Sequence, residues 1–470
     1  MKSIKYKKSG FNKIILIGTT ILLELLISIL IPSFLIRYST WPIILVMILS
    51  CSIIIGYFIM AKVETRHIFI SPSSLFSLFY FLLYVIMTFD LLLLRNYDED
   101  LNLLKLLSYA LVIAIIGLIA FIMGYIIPLG KSMAKYYPKF SFRWNKSKVT
   151  ILLLGIMIIS GGTLFYAIQI NGGLNAYILN LVNKRFMFLN HGYLLIIMNQ
   201  INVGLLISFI YWMDTKKGKL LLLLLIVTAI TINLMLASRV IFLVISISLL
   251  YISLIKGKRI NPLLIIGLFI GLPIFSVGYG SYIREYLPYG INIISNGSSQ
   301  TYNGINLNIF WYKFAQLNFD SLSNLITILI NVPSNIAFLK GKSFLGLLGY
   351  FIPRAIYPSK PYGIGMLFTQ TFYPISFKNG SGIAPSLMVD LYWNFDIPGI
   401  IIGMILFGIF LRSIYEYAWI NPKQPIPIIV SALVMGQIFG WLKSGTDTPT
   451  QALIGYIITI IISTLFLKAY

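Results

Sequence analysis

Arginine carries five N–H donors in a planar fork and keeps its charge at any physiological pH, so it grips phosphate oxygens in pairs. Three arginines stand out by position. Arg239 lies in ASRV, at a tight turn between two apolar runs. Arg284 lies in YGSYIREY, and Arg354 lies in IPRAIYPSKPYG, followed by Lys360. Lys184 and Arg185 form a further basic pair in a polar stretch. Converging groups of this kind suit a diphosphate ligand. The competing reading of each is a headgroup anchor or a surface ion pair. Carboxylates are scarce nearby, so each is worth weighing as a base for a sugar hydroxyl. Glu285 directly follows Arg284, Asp320 lies in an amphipathic stretch, and Asp390 and Asp396 lie in MVDLYWNFDIPG. Asp396 reads most simply as the N-cap of a following helix. Asp390 has no such role, and it and Glu285 carry more weight. His191 is a further candidate base, its plainer reading being a hydrogen-bonded interfacial histidine. Tyr282, Tyr357 and Trp393 offer ring faces for sugar packing, although anchoring at a membrane interface uses the same residue types.

The elements that must position these groups follow from composition. The chain has 470 residues, 58% hydrophobic and 10% charged. Soluble domains carry about 25% charged residues. That excludes a soluble enzyme, a disulfide scaffold and a disordered chain. Apolar stretches of about 17–25 residues cross a bilayer as helices. Twelve occur, at roughly 14–36, 42–61, 68–94, 104–128, 149–168, 193–212, 219–237, 240–255, 262–280, 397–415, 425–442 and 449–467. The fold class is therefore all-α, a single polytopic membrane domain over 1–470. The first span is too long for a removable signal peptide and lacks a small-residue cleavage site. Two external segments remain, a smaller one at 169–192 and a large one at 281–396 between spans nine and ten. Loops this long are usually functional or disordered. The large one keeps apolar runs, LITILINV (325–332) and SFLGLLGYFI (343–352), too short to span. They predict amphipathic or re-entrant helices covering a site at the outer face.

Charge then orients the spans. Lys and Arg number 36 against 13 Asp and Glu, a net charge of +23. Basic residues gather in cytoplasmic loops. The N-terminus, the loop after the fourth span (Lys131 to Lys148), Lys216–Lys219 and Lys256–Arg259 all fall on one side if the spans alternate. Both termini are then cytoplasmic, and His67 falls on that side and is set aside. Most of the net charge is an orientation signal and a draw for anionic membrane lipid, rather than a nucleic-acid footprint. Cys51 is the one cysteine, and with two histidines the chain offers no metal cluster. No phosphate-binding glycine loop and no HExxH motif occurs. Inside the spans the ionisable groups are few, Glu24 being the deepest and Asp90 lying near an outer end.

The order of features resembles the O-antigen and capsular oligosaccharide repeat-unit polymerases, the Wzy-type family. The local matches are ISPSSLFSLFY (70–80), INGGLNAYILNLVNKR (170–185), ASRVIFL (237–243), IPRAIYPSKP (352–361) and the stretch from Gly380 to Gly399. The resemblance implies a glycosyltransferase of the bacterial inner membrane, acting on repeat units linked to undecaprenyl diphosphate in the outer leaflet. It implies essential external arginines, here Arg185, Arg239, Arg284 and Arg354, and a chain-length regulator as a partner. The regular paired loops with repeated Arg-and-Gly patterns found in some members are missing. No nucleotide sugar, ATP or other cofactor is needed, because the prenyl diphosphate is itself a good leaving group. The rivals are a glycan ligase and a lipid-linked oligosaccharide flippase. A flippase would be expected to show two matching halves and charge within its spans.

Overall fold

The computed structural model describes residues 40–66, 69–94, 101–138, 144–180, 187–188, 191–236, 238–258, 319–348, 359–378 and 382–468, with 267, 271, 357 and 380 singly. The expected spans at 14–36 and 262–280, and Glu24 with the first, lie outside this set apart from those two single positions. Among the described residues the chain is all-helical. Its helices are α1 (Thr40–Val63), α2 (Pro72–Tyr80), α3 (Met87–Leu94), α4 (Leu101–Ile126), α5 (Leu129–Met133), α6 (Lys146–Ile170), α7 (Gly173–Leu179), α8 (Gly192–Asn199) and α9 (Ile201–Thr215). They continue as α10 (Lys219–Met235), α11 (Arg239–Ile255), α12 (Ser321–Asn331), α13 (Lys342–Leu348), α14 (Ile364–Phe372), α15 (Pro374–Lys378), α16 (Leu387–Ile420), α17 (Pro425–Ser444) and α18 (Asp447–Lys468). A π-helical stretch, Phe81–Ile86, joins α2 to α3. Eight helical segments are long and apolar enough to cross a membrane, and α10 and α11 are shorter apolar helices.

The bundle is built around α4 and α16. Lipid supplies no hydrophobic drive between helices, so close backbone approach through small residues does that work. A methyl added at Gly124 would strike the Ile405 carbonyl, and one at Gly408 would strike the Phe121 carbonyl. A second seam joins α11 to α17, where Ser248 Oγ donates to the Ala432 carbonyl at 2.8 Å. The α17 helix is almost wholly buried. In contrast α6 shows Ile158, Ile159 and Phe165 outward, and α10 shows Leu220, Leu223 and Val227. Those apolar faces suit acyl chains.

Hydrogen bonds between the connecting segments sort the loops into two ends. At one end Trp144 Nε1 and Lys256 Nζ reach Asp214, at 3.1 and 2.6 Å, and Tyr417 donates to the Pro138 carbonyl at 2.6 Å. Arg66, Lys131, Lys135, Lys148, Lys216, Lys217 and Lys258 lie in or beside these segments, so this is the basic end. At the opposite end Tyr177 donates to the Met235 carbonyl at 3.0 Å, and Asn324 Nδ2 donates to the Ala384 carbonyl at 2.9 Å.

The basic end holds a buried ionic group of which the sequence reading saw nothing. Arg412 Nη2 pairs with Glu416 Oε1 at 2.6 Å, one helical turn along α16, with side chains 4% and 0% exposed. Arg412 also donates to the Val63 carbonyl, and its guanidinium lies 5.5 Å from the Tyr125 ring centre. Thr65 donates to Glu416 through its amide at 3.2 Å and through its hydroxyl. Glu64, itself buried, accepts from the Tyr125 hydroxyl at 2.7 Å and from the Ser73 amide at 3.3 Å. The spans therefore carry more buried charge than their composition suggested.

Candidate functional site

The site at the opposite end begins with a break in α16. The helix was expected from residue 397; it starts ten residues earlier, capped by Ser386 Oγ accepting from the Val389 amide at 3.3 Å. It is interrupted at Phe395 (φ −144°, ψ 22°) and Asp396 (φ 58°, ψ −154°). The cause is local. Residue 398 is proline, which has no N–H to give the Asn394 carbonyl. The Ile397 amide turns instead to Asp396 Oδ1 at 2.8 Å. The carbonyls of Trp393 and Asn394 are thereby left over.

A buried carbonyl needs a donor. The loop ahead of α13 supplies them: the Leu339 amide reaches the Trp393 carbonyl at 2.8 Å, and the Lys340 amide reaches the Asn394 carbonyl at 3.2 Å. The Gly341 amide takes Asn394 Oδ1 at 2.9 Å, and Trp393 Nε1 returns a bond to the Ala337 carbonyl at 3.3 Å. Irregular backbone at membrane depth is tolerated only where protein or a water-filled cavity surrounds it. Here the loop itself is that surrounding.

This docking assembles a polar cluster. Asp390, fully buried, accepts on Oδ1 from Ser343 Oγ and Asn394 Nδ2, both at 3.0 Å. Its Oδ2 accepts from the Thr446 amide at 3.0 Å and the Thr446 hydroxyl at 2.6 Å. Gly445, between α17 and α18, has φ 77°. A Cβ there would also sit 3.2 Å from Asp390 Oδ2, so the turn needs glycine for conformation and for space. Asp447 opens α18 next to this turn. Gln451 Nε2 donates to its Oδ1. The segment Pro361–Gly363 passes directly over Asp447, and a methyl at Gly363 would collide with Oδ2. Beside that segment lies an open cleft of about 390 Å³, lined by Leu339, Lys342, Ser359, Lys360, Pro361, Tyr362 and Leu367.

The residues expected at a site therefore part company. Asp390 and Lys360 are brought to one neighbourhood. Trp393 is there too, but only 2% exposed and packed against Phe372 at 5.3 Å between ring centres, so its ring is closed to a ligand. Tyr357 is exposed. His191 sits half-buried at the start of α8, its ring 6.0 Å from that of Tyr193, with no hydrogen bond to the Asp390 cluster. Arg239 is placed by its backbone alone, in the first turn of α11. Lys184, Arg185, Tyr282, Arg284, Glu285 and Arg354 lie outside the described residues. Sequence reasoning missed Ser343, Asn394, Thr446 and Asp447. The signal for the last two was present as GTDTP, a polar turn between two apolar spans. The described residues hold no group of three His, Cys, Asp or Glu side chains able to bind a metal.

No family model, no curated relative and no solved structure matches this chain.

Proposed function

We propose that this chain is a polymerase of undecaprenyl-diphosphate-linked oligosaccharide repeat units, working at the outer leaflet of a bacterial inner membrane with both termini cytoplasmic. One observation carries the reading. At the end of the bundle opposite the basic loops, a broken helix, a buried carboxylate cluster and a lysine-lined cleft meet, while most of the spans around them are apolar. A membrane-embedded transferase needs such a place for a polar, charged headgroup. The growing glycan leaves its diphosphate carrier and joins the terminal sugar of the incoming unit. Arg239, Arg284 and Arg354 are proposed to hold the departing diphosphate. Well-placed donors to a developing oxyanion contribute about 3–4 kcal/mol each, and positioning the two sugars supplies much of the rest.

A transporter reading draws support from two observations. Broken helices hold substrate in many transporters, and buried charge such as Arg412–Glu416 marks pathways in others. A deletion strain separates the two. Polymerase loss leaves single lipid-linked units on the outer leaflet, whereas flippase loss leaves them on the inner one. Within the polymerase reading, Arg239→Ala, Arg284→Ala and Arg354→Ala are each expected to stop chain elongation. Normal polymer length in all three rejects the diphosphate role.

A further inference from the structure

The walls of the cleft at the broken end of α16 are held from two sides. In α13, Gly346 follows Lys342 by one helical turn, so the two share a face. A methyl at Gly346 would sit 3.0 Å from the carbonyl oxygens of both Pro361 and Tyr362. The bare glycine lets the backbone at 361–362 lie against α13, on the face that carries Lys342. From the other side Asp447 packs against Gly363. The loop leading into α13 is pinned to the break in α16 through the Leu339, Lys340 and Gly341 amides. Close backbone packing thus brings Lys342 and Lys360 to one cleft.

The lining offers three kinds of group. Lys342 and Lys360 supply cations, Ser359 a hydroxyl, and Pro361, Tyr362 and Leu367 supply ring and aliphatic faces. No lining residue is acidic. Asp390 is fully buried and accepts from four donors. Asp447 lies outside the lining, and its charge offsets part of that of Lys360. The cleft is left with a net positive charge of roughly one ammonium, which a single carboxylate matches better than a diphosphate does. Paired phosphate oxygens are best gripped by arginine forks, and no arginine lines this cleft. Its volume, about 390 Å³, is within the usual range for small-molecule sites, roughly 300–1,000 Å³. Apolar walls beside a hydroxyl suit the faces and the rim of a sugar ring.

We infer that this cleft binds a carboxylate-bearing sugar of the repeat unit, and so selects acidic units for polymerisation. The inference rests on the polymerase reading above. Lys342 and Lys360 hold the carboxylate, Ser359 meets a ring hydroxyl, and Tyr362 covers a ring face. The role is binding and specificity, and the departing diphosphate is a separate ligand.

The test uses the full chain in lipid vesicles. The probe is the single lipid-linked unit from the deletion strain, used as extracted and after chemical reduction of its carboxyl groups to alcohols. The extracted unit is expected to carry a carboxylate. Reduction is expected to weaken its binding to wild type by about tenfold or more, the scale of a charge-assisted hydrogen bond left unmade. Lys342→Met and Lys360→Met each bind the unreduced unit about tenfold less tightly, and each narrows the difference between the two forms. Lys342→Arg, which keeps the charge, keeps most of that difference. Lys342 is exposed, so its variants read binding even where Lys360→Met, beside Asp447, fails to fold. A unit without a carboxylate overturns the inference, and so does equal binding of the two forms by wild type. Losses in the lysine variants that are the same for both forms also overturn it, in favour of the carrier's diphosphate or a structural role. Each of these results leaves the polymerase reading standing. Units stranded on the inner leaflet of the deletion strain overturn that reading itself.

Discussion

Near one end of α16, Arg412 and Glu416 face each other across one helical turn; near the other end, Asp390 and Asn394 do the same. Both pairs are buried, and both tie the helix to loops hundreds or tens of residues away. They satisfy their carboxylates differently. Glu416 is paired with a cation and accepts hydrogen bonds from Thr65. Asp390 is satisfied by neutral donors alone, from Ser343, Asn394 and Thr446. A cation brought into a buried site compensates charge and closes it. Neutral hydroxyls and amides instead hold a loop in register. The cleft and Asp447 lie beside the second pair. The comparison teaches that the basic end is built as a clasp and the opposite end as a frame.

The sharpest way to break this comparison is to remove the cation from the clasp. Arg412→Met leaves Glu416 buried with no opposite charge, and is expected to cost about 3–5 kcal/mol. Thermal unfolding of the purified protein in detergent measures it, and adding Glu416→Gln to the same chain is expected to recover most of the loss. If Arg412→Met melts with wild type, the clasp carries no stability.

A smaller effect is expected in the frame. Asp390→Asn turns one acceptor oxygen into a donor facing other donors, at about 1–3 kcal/mol for the groups left unsatisfied. Its unfolding midpoint should drop further than that of Asp447→Asn, since among the described residues Asp447 accepts one side-chain bond, from Gln451. The reverse order would mean that Asp447, not Asp390, holds the turn. Next comes the break itself. Asp396→Ala loses the bond from the Ile397 amide and keeps the φ of 58°, for about 1 kcal/mol or more, whereas Asp396→Gly is expected to cost only a few tenths. Equal losses from the two would remove backbone conformation from the account. The smallest change is Lys256→Gln at the Asp214 pair of the basic end, expected at about 0.2–1 kcal/mol because the pair is partly solvated. A larger loss there would make the clasp one network with the loop pairs around it.

Much of the helical framework was legible in the primary sequence. Ten of the twelve expected spans coincide with described helices, including the short pair α10 and α11. Asp396 is expected to cap the helix after it; its Oδ1 accepts from the next amide, that of Ile397. The break before it was missed, although Asp396-Ile-Pro398 contains its cause, because a proline near a helix start ordinarily continues the helix. The apolar run at 325–332 is expected to form an amphipathic or re-entrant helix; α12 covers most of it as a helix, with Leu322, Leu325 and Ile328 buried. Trp393 was read as a sugar platform; nothing in its neighbours told that Phe368 and Phe372 would enclose it. Arg412 and Glu416 stand four apart, a spacing that by itself reads as an ordinary exposed helix pair.

What the sequence alone determined is the set of quantities that depend on local composition: most of the apolar helices and the gathering of basic residues in the segments that join some of them. Each follows from the length of an apolar run or from a residue and its immediate neighbours. Only the tertiary structure decided which polar groups meet. Ser343, Asp390, Asn394 and Thr446 come from segments up to about a hundred residues apart. They meet because two carbonyls freed by the break in α16 had to find donors, and the loop at 339–341 provided them. That demand arises from burial, which no stretch of sequence states about itself. The same packing used up every acceptor of Asp390.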